Sequence, residues 1–299
     1  MSNVVLSPWA ARTLAYLFRF RTLQLAEYAF KSSGPGLDEH GRVSVRVFGL
    51  ELPLKVSRSV THKMLCLEGE RFIQERDLLR SLIAPGDVVV DVGANIGYLD
   101  LLFLQSVGPT GKLICVEPDN QNFEELCHCM RVNGRTDVVL IQAAVGNEMG
   151  TVQLSPGLNG RVSDQGSTSV PLITVDSLCE HQPDFIKIDV EGYEEMVIEG
   201  AMSTLQEHRP TVFIELHPSL VPNLADIRRI LQKLDGIYDH IELAEYRVSD
   251  RAVTKLMMRY GLTSAVSVIE DRGRLLSQIE ASERDQPFWA ICQREKSRG

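Results

Sequence analysis

The spacing of apolar positions changes period several times along the chain, and each change predicts an element. Residues 8–31 place Trp9, Leu14, Leu17, Phe18, Leu25 and Phe30 at helical spacing. Ser32 to Gly41, with Gly34-Pro35-Gly36 inside it, reads as a linker. From 43 to 67 the pattern alternates, with Val43, Val45 and Val47, then Leu50, Leu52, Leu54 and Val56 after Gly49, which predicts a β-hairpin. Glu68 to Ile83 returns to helical spacing through Phe72, Ile73, Leu78, Leu79 and Leu82, and Pro85-Gly86 closes it. Val88, Val89, Val90 and Val92 then form a nearly unbroken β-branched run, as expected of a strand covered on both faces.

Beyond this run, strand and helix patterns alternate. Strands are predicted at Lys112–Glu117, Val138–Ala143, Asp184–Val190 and Thr211–His217. Helices are predicted at Asp119–Arg131, Tyr193–Leu205 and Leu224–Leu234. Thr151–Leu154 and Val170–Val175 read as short extended pieces around a Gly/Ser-rich loop, Gly157–Ser169, expected to act as a mobile lid. Ile241–Val248 and Phe288–Cys292 read as final strands, while Thr254–Ser282 is mixed and yields no element. The alternation predicts an α/β fold with a doubly wound, mostly parallel sheet. Residues 1–67 form an extension of helix and hairpin, and 68–299 the main domain.

Composition narrows the partners. The 299 residues are 44% hydrophobic, enough for a full core, and carry a net charge of −9, which argues against nucleic-acid binding. Six cysteines are scattered, and Cys115 and Cys292 fall inside strand patterns as buried apolar thiols. That usage suits a reducing, cytoplasmic setting. No apolar run approaches the ~20 residues of a membrane span, and Arg12, Arg19 and Arg21 break the order of a signal peptide. Segment 8–31 is itself basic, with Arg12, Arg19, Arg21 and Lys31 against Glu27. A helix packed on the core or on a second copy in a homo-oligomer is the preferred reading, and a peripheral membrane contact the alternative.

The chemistry begins where the valine run ends. Asp91, Gly93, Asn95 and Gly97 make a glycine-rich turn between strand and helix, where backbone can approach a ligand closely. The spacing is not the three-glycine dinucleotide fingerprint, and an acid at the strand end would repel a pyrophosphate. A ligand with a cationic centre and hydroxyls tolerates it. Glu117 ends the next strand, where an acid accepts hydrogen bonds from ribose hydroxyls, so the pair fits an adenosine-containing ligand. Farther on, Lys187 and Asp189 share one face of a strand, and Glu215 and His217 share a face of the next. If the two strands are neighbours, these groups converge near the turn.

These residues resemble the FkbM-type methyltransferases, class I S-adenosylmethionine-dependent enzymes. The resemblance rests on an ordered set between residues 68 and 220: Pro85-Gly86-Asp87, the Asp91–Gly97 turn, Val116-Glu117-Pro118, Ala143-Ala144-Val145-Gly146, Thr174-Val175-Asp176, Lys187–Glu194 and Glu215-Leu216-His217. It implies a Rossmann-like seven-stranded sheet with a reversed last strand. It also implies O-methylation of a hydroxyl on a sugar, polyketide or related small-molecule or glycan acceptor. On this reading the cofactor lies against Asp91, Gly93, Asn95, Gly97, Glu117, Gln142, Ala143 and Asp189. His217 is the first candidate for general base, because its ordinary pKa lies near neutrality. Asp189 and Glu191 are its rivals, with Lys187 and Glu215 completing the catalytic set. A metal-free site is preferred, and Mg²⁺ on Asp189, Glu191 and Glu215 or His217 is the variant. Two readings outside the class are an NAD-dependent oxidoreductase, disfavoured by the glycine spacing, and a silent cofactor-binding scaffold, which would gain nothing from burying these charges.

Overall fold

The computed structural model describes residues 42–55, 73–155, 166–221, 223–246, 266–281 and 286–293, with His62, Leu65, Cys66, Gly69, Glu70 and Val162 between them. The expected helix at 8–31, the linker, and most of the expected lid lie outside the described residues.

A hairpin, β1 (Arg42–Val47) and β2 (Leu50–Lys55), pairs in register from Arg42↔Lys55 to Val47↔Leu50. Its alternation buries Val43, Val45, Val47, Leu52 and Leu54, as the sequence predicts. Helix α1 (Ile73–Leu82) leads to β3 (Val88–Val92), then α2 (Tyr98–Val107), β4 (Lys112–Val116), α3 (Asn120–Val132) and β5 (Val139–Ile141). Asp119 caps α3 by accepting the Asn122 N–H at 2.9 Å. The chain then makes β6 (Ala144–Val145), β7 (Gly150–Leu154) and β8 (Thr168–Ile173), a separate three-stranded sheet in the order β6-β8-β7. It returns to the centre with β9 (Phe185–Ile188), α4 (Glu194–Glu199), α5 (Met202–His208), β10 (Thr211–Leu216) and α6 (Ala225–Asp235). Strands β11 (Ile241–Tyr246) and β12 (Val266–Val268), helix α7 (Arg272–Glu280) and β13 (Phe288–Cys292) complete the described chain.

The main sheet runs β12-β11-β13-β10-β9-β3-β4-β5. From β5 to β10 all neighbours are parallel, and β13 is antiparallel to both β10 and β11. The expected reversed last strand is present. The described residues give eight strands rather than seven, because β12 adds an antiparallel edge to β11. Three residues carry too little alternation to be legible inside a mixed stretch.

The sheet is covered on both faces, which is why its strands read as apolar runs. Val90, Val92, Ile114, Ile186, Ile188 and Ile214 pack beneath α4, α5, α6 and α7. Val89, Leu113, Cys115, Phe185 and Phe213 pack on the other face with α1, α2, α3 and the hairpin. Each fully buried aliphatic side chain stabilises the fold by roughly 1.5–3 kcal/mol. The hairpin belongs to this second core and is not a loose appendage.

Two expected elements are broken. The strand expected at Val138–Ala143 ends at Ile141, and Ala144-Val145 joins the small sheet. The helix expected at Tyr193–Leu205 splits at Gly200-Ala201. There the helix crosses the Gly146 strand end so closely that a Cβ on Gly200 would stand 1.9 Å from the Gly146 carbonyl oxygen.

Candidate active site

Parallel strands β4, β3, β9 and β10 end on one side of the sheet, and a cleft opens outside their carboxyl ends. Its empty volume, mouth included, is about 570 Å³. Among the expected residues, Gly93, Asn95, Glu117, Ala143, Asp189 and Glu191 line it. Val116, Pro118, Ala144, Val145, Val162, Val190 and Tyr193, which were not expected, line it too.

The turn after β3 makes the floor. Gly93 has φ +85°, and a Cβ there would stand 1.9 Å from the Asp189 carbonyl oxygen. Only glycine lets the two strand ends lie this close. Asn95, also left-handed at φ 53°, donates its N–H to Glu117 Oε2 at 2.8 Å. Glu117 Oε1 accepts from the Asp119 N–H at 2.9 Å and Asn122 Nδ2 at 3.3 Å. Three of about four acceptor sites on the carboxylate are thus filled. About one acceptor site is left for a ligand's hydroxyl. Burial pushes Glu117 up to about 7, against those N–H donors, which favour its ionised form.

Asp91 does not line the cleft. It points to the α2 face, fully buried, with Lys187 Nζ 3.1 Å from its Oδ1. Lys187 Nζ also donates to the Gly93 carbonyl at 3.0 Å and stands 3.8 Å from Asp189 Oδ2. Burial alone would lower the lysine pKa, but Asp91 and Asp189 outweigh it and hold the ammonium charged. Burial and the Asp91 charge push Asp100, on α2, well up, and Cys115 Sγ donates to its Oδ1 at 2.9 Å. As ionised groups, Asp91 and Asp100 would both bury acceptor atoms without donors. A proton retained on Asp100 removes that conflict, so Asp91 and Lys187 form the charged pair that pins the turn. Sequence patterns give no sign of Asp100, because an acid on a helix reads as solvated. Two other expected residues lie off the cleft. Gln142 is bonded to Asn120 Oδ1 at 3.2 Å, and Gly97 caps the start of α2.

β9 and β10 are neighbours, and the expected convergence is present. His217 Nε2 stands 3.9 Å from Asp189 Oδ1 and 3.8 Å from Glu215 Oε1, while Nδ1 meets Glu194 Oε1 at 3.1 Å. Burial would lower the His217 pKa, but Glu194, Asp189 and Glu215 together hold it up at about 9. The expectation of an imidazole titrating near neutrality is therefore corrected: His217 carries its proton there. Glu215 is pushed up to about 7, by burial first and then by the Asp189 charge. Glu194 closes the Lys187–Glu194 run, but the sequence does not show its role. An acid in the first turn of a helix is a capping signal, and it does accept the Gly192 N–H at 2.9 Å, but its turn inward to His217 has no pattern. Glu191, at the cleft rim, has φ 57°, a strained conformation for a residue with a side chain.

Residues 91–238 match the methyltransferase FkbM domain. Over 172 residues the chain is 28% identical to the hexuronic acid methyltransferase AglP of Haloferax volcanii, covering 53% of this chain and 68% of that protein. Over 103 residues it is 38% identical to the ribosomal RNA large subunit methyltransferase E of Nitrosomonas europaea, covering 32% of this chain and 48% of that one. Among solved structures, the methyltransferase FkbM of Methylobacillus flagellatus aligns with TM-score 0.45 and 15% identity, over 77% of this chain and 54% of that chain. The FkbM match runs from the last residues of β3 through α6, so the turn, Glu117 and the His217 cluster all fall inside it, and the hairpin, β12 and β13 fall outside.

Proposed function

We propose that the protein transfers the methyl group of S-adenosylmethionine to a hydroxyl of a sugar or a related polyhydroxylated metabolite. One observation carries the reading: Asp189 lies both in the cleft and within 3.9 Å of the His217 cluster. Cofactor and acceptor chemistry would meet at that residue. Gly93 and Asn95 would hold the amino-acid part of the cofactor, the remaining acceptor site of Glu117 would take a ribose hydroxyl, and Pro118 and Ala143 would border the adenine. Asp91 acts from below, through Lys187.

The reaction asks little covalent chemistry of the protein. The acceptor oxygen forms a bond to the methyl carbon, the carbon–sulfur bond breaks, and its electron pair stays on sulfur as a neutral thioether. The hydroxyl proton passes to the carboxylate set of Asp189, Glu191 and Glu215. His217, already protonated, holds these carboxylates in place by charge. Most of the rate would come from in-line alignment. The similarity to a hexuronic acid methyltransferase supports a sugar acceptor, and the carboxylate-rich surroundings suit a partner with several hydroxyl donors.

Calorimetric titration tests the cofactor, with S-adenosylmethionine, S-adenosylhomocysteine and, as control, NADH. The first two are expected to bind. Glu117→Ala should weaken them by roughly 10–100-fold, the value of a hydrogen bond to a charged group together with loss of the Asn95 anchor. Binding of NADH alone would overturn the reading. With the cofactor established, formation of S-adenosylhomocysteine in the presence of simple hexose and hexuronic acid glycosides tests the acceptor.

A further inference from the structure

We propose that Asp189, Glu215 and His217 bind one divalent transition-metal ion beside the cofactor cleft, and that this ion holds the acceptor oxygen. Its use in catalysis rests on the methyl-transfer reading; its binding does not. One ligand atom from each of the three residues lies within 4.8 Å of the others. His217 Nε2 is 3.9 Å from Asp189 Oδ1 and 3.8 Å from Glu215 Oε1. An imidazolium merely paired with a carboxylate closes to about 2.8 Å. These gaps are too long for hydrogen bonds. They exceed by about half an ångström the spacing of donors around a tetrahedral ion with ligands near 2.1 Å, and by somewhat less than about 1 Å that around an octahedral one. Asp189 and Glu215 are partly exposed and free to close that difference.

A second observation points the same way. His217 is only 7% exposed, and its Nε2 has no hydrogen-bond partner among the described residues. Its other nitrogen is held by Glu194, a fully buried carboxylate itself fixed by the Gly192 N–H. A carboxylate behind an imidazole sets which nitrogen faces outward, and this arrangement recurs behind metal-bound histidines. Binding the ion displaces the proton from His217, and Lys187 is then the nearby cation among the described residues, 3.8 Å from Asp189 Oδ2, with its charge already matched by Asp91. Asp189 and Glu215 therefore remain to balance a 2+ ion.

The donor set of one nitrogen and two oxygens selects the ion. Mg²⁺ prefers oxygen donors and waters, whereas Zn²⁺ and Fe²⁺ accept imidazole readily and Mn²⁺, chiefly an oxygen-seeking ion, takes one beside two carboxylates. Glu191 stands outside the set, contrary to the expected Mg²⁺ ligands Asp189, Glu191 and Glu215. Three protein ligands leave coordination positions open, and Asp189 borders the cleft from which an acceptor would reach them. A hydroxyl on the ion gives up its proton more readily. With Asp189 and Glu215 on the ion and Glu117 turned to the ribose, Glu191 at the cleft rim takes it while the oxygen attacks the methyl carbon.

The test uses the full chain stripped with chelator and titrated with Mn²⁺, followed by electron paramagnetic resonance. One ion per chain is expected, with ¹⁴N modulation in the pulsed spectrum from the bound imidazole. His217→Gln should abolish the modulation and weaken binding at least tenfold; Glu215→Gln should weaken binding similarly while keeping the modulation. Thermal unfolding of each variant checks that it is folded, and if one is not, the other carries the test. Absence of binding up to about 1 mM Mn²⁺, or unchanged affinity in a folded variant, overturns the site. A parallel S-adenosylhomocysteine titration separates the two readings. Mn²⁺ without cofactor binding sinks the methyltransferase reading and leaves the metal site standing; cofactor without Mn²⁺ does the reverse.

Discussion

Lys187 sets a positive charge inside a strand covered on both faces, where desolvation is costly unless a partner is fixed nearby. Asp91 is that partner. Lys187→Met should therefore cost about 3–5 kcal/mol in urea unfolding, because it strands a buried carboxylate. Adding Asp91→Asn should return part of the loss. Glu117 gives a prediction in pH. A ribose hydroxyl donates more strongly to the ionised carboxylate than to the protonated one, so S-adenosylhomocysteine affinity should fall as pH drops below about 7 and level off above it. In Glu117→Gln this dependence should flatten, read by titration between pH 5.5 and 8.5. Residue type and strand position are enough to make Glu117, Asp189 and the pairing of Lys187 legible in the sequence. Whether Asp91 faces the ligand or the core is not legible there. An acid at the end of a two-sided strand has one face toward each core, and only the position of Lys187 and Asp100 decides between them.

At the scale of elements, long apolar runs are readable and short pieces are not. β3, β4, β9, β10 and β13 each announce themselves by nearly continuous apolar residues. β6 has two residues and β12 three, too few for a period. The break between α4 and α5 depends on a backbone crossing at Gly200 that no local pattern records. The small sheet has its own cluster of Ala144, Leu154, Val170 and Leu172. Since Ala144 and Val145 line the cleft, this element can fail separately from the main core. Leu172→Ala, which empties that cluster, should cost about 2–4 kcal/mol locally. Amide exchange is expected to quicken in β6, β7 and β8 and not in β3 or β9, with cofactor affinity lowered.

Over the whole molecule, charge and connectivity matter most. A net charge of −9 opposes the counterion release that drives binding to phosphate backbones, so RNA should not be retained at about 150 mM salt, as a filter-binding assay would show. The sheet has a subtler property. β13 is the last of the described strands in sequence, yet it lies between β10 and β11, bonded on both sides. A ribosome makes the chain from one end. Until Phe288–Cys292 has left the exit tunnel, β11 and β12 have no strand joining them to the rest of the sheet. Glu215 and the residues around it lie on a β10 with one bare edge. The candidate catalytic half of the protein would thus be finished by a segment far from it in sequence. Nascent chains stalled before Phe288 should stay open to protease around β10 and β11, while those stalled well beyond Cys292 are protected.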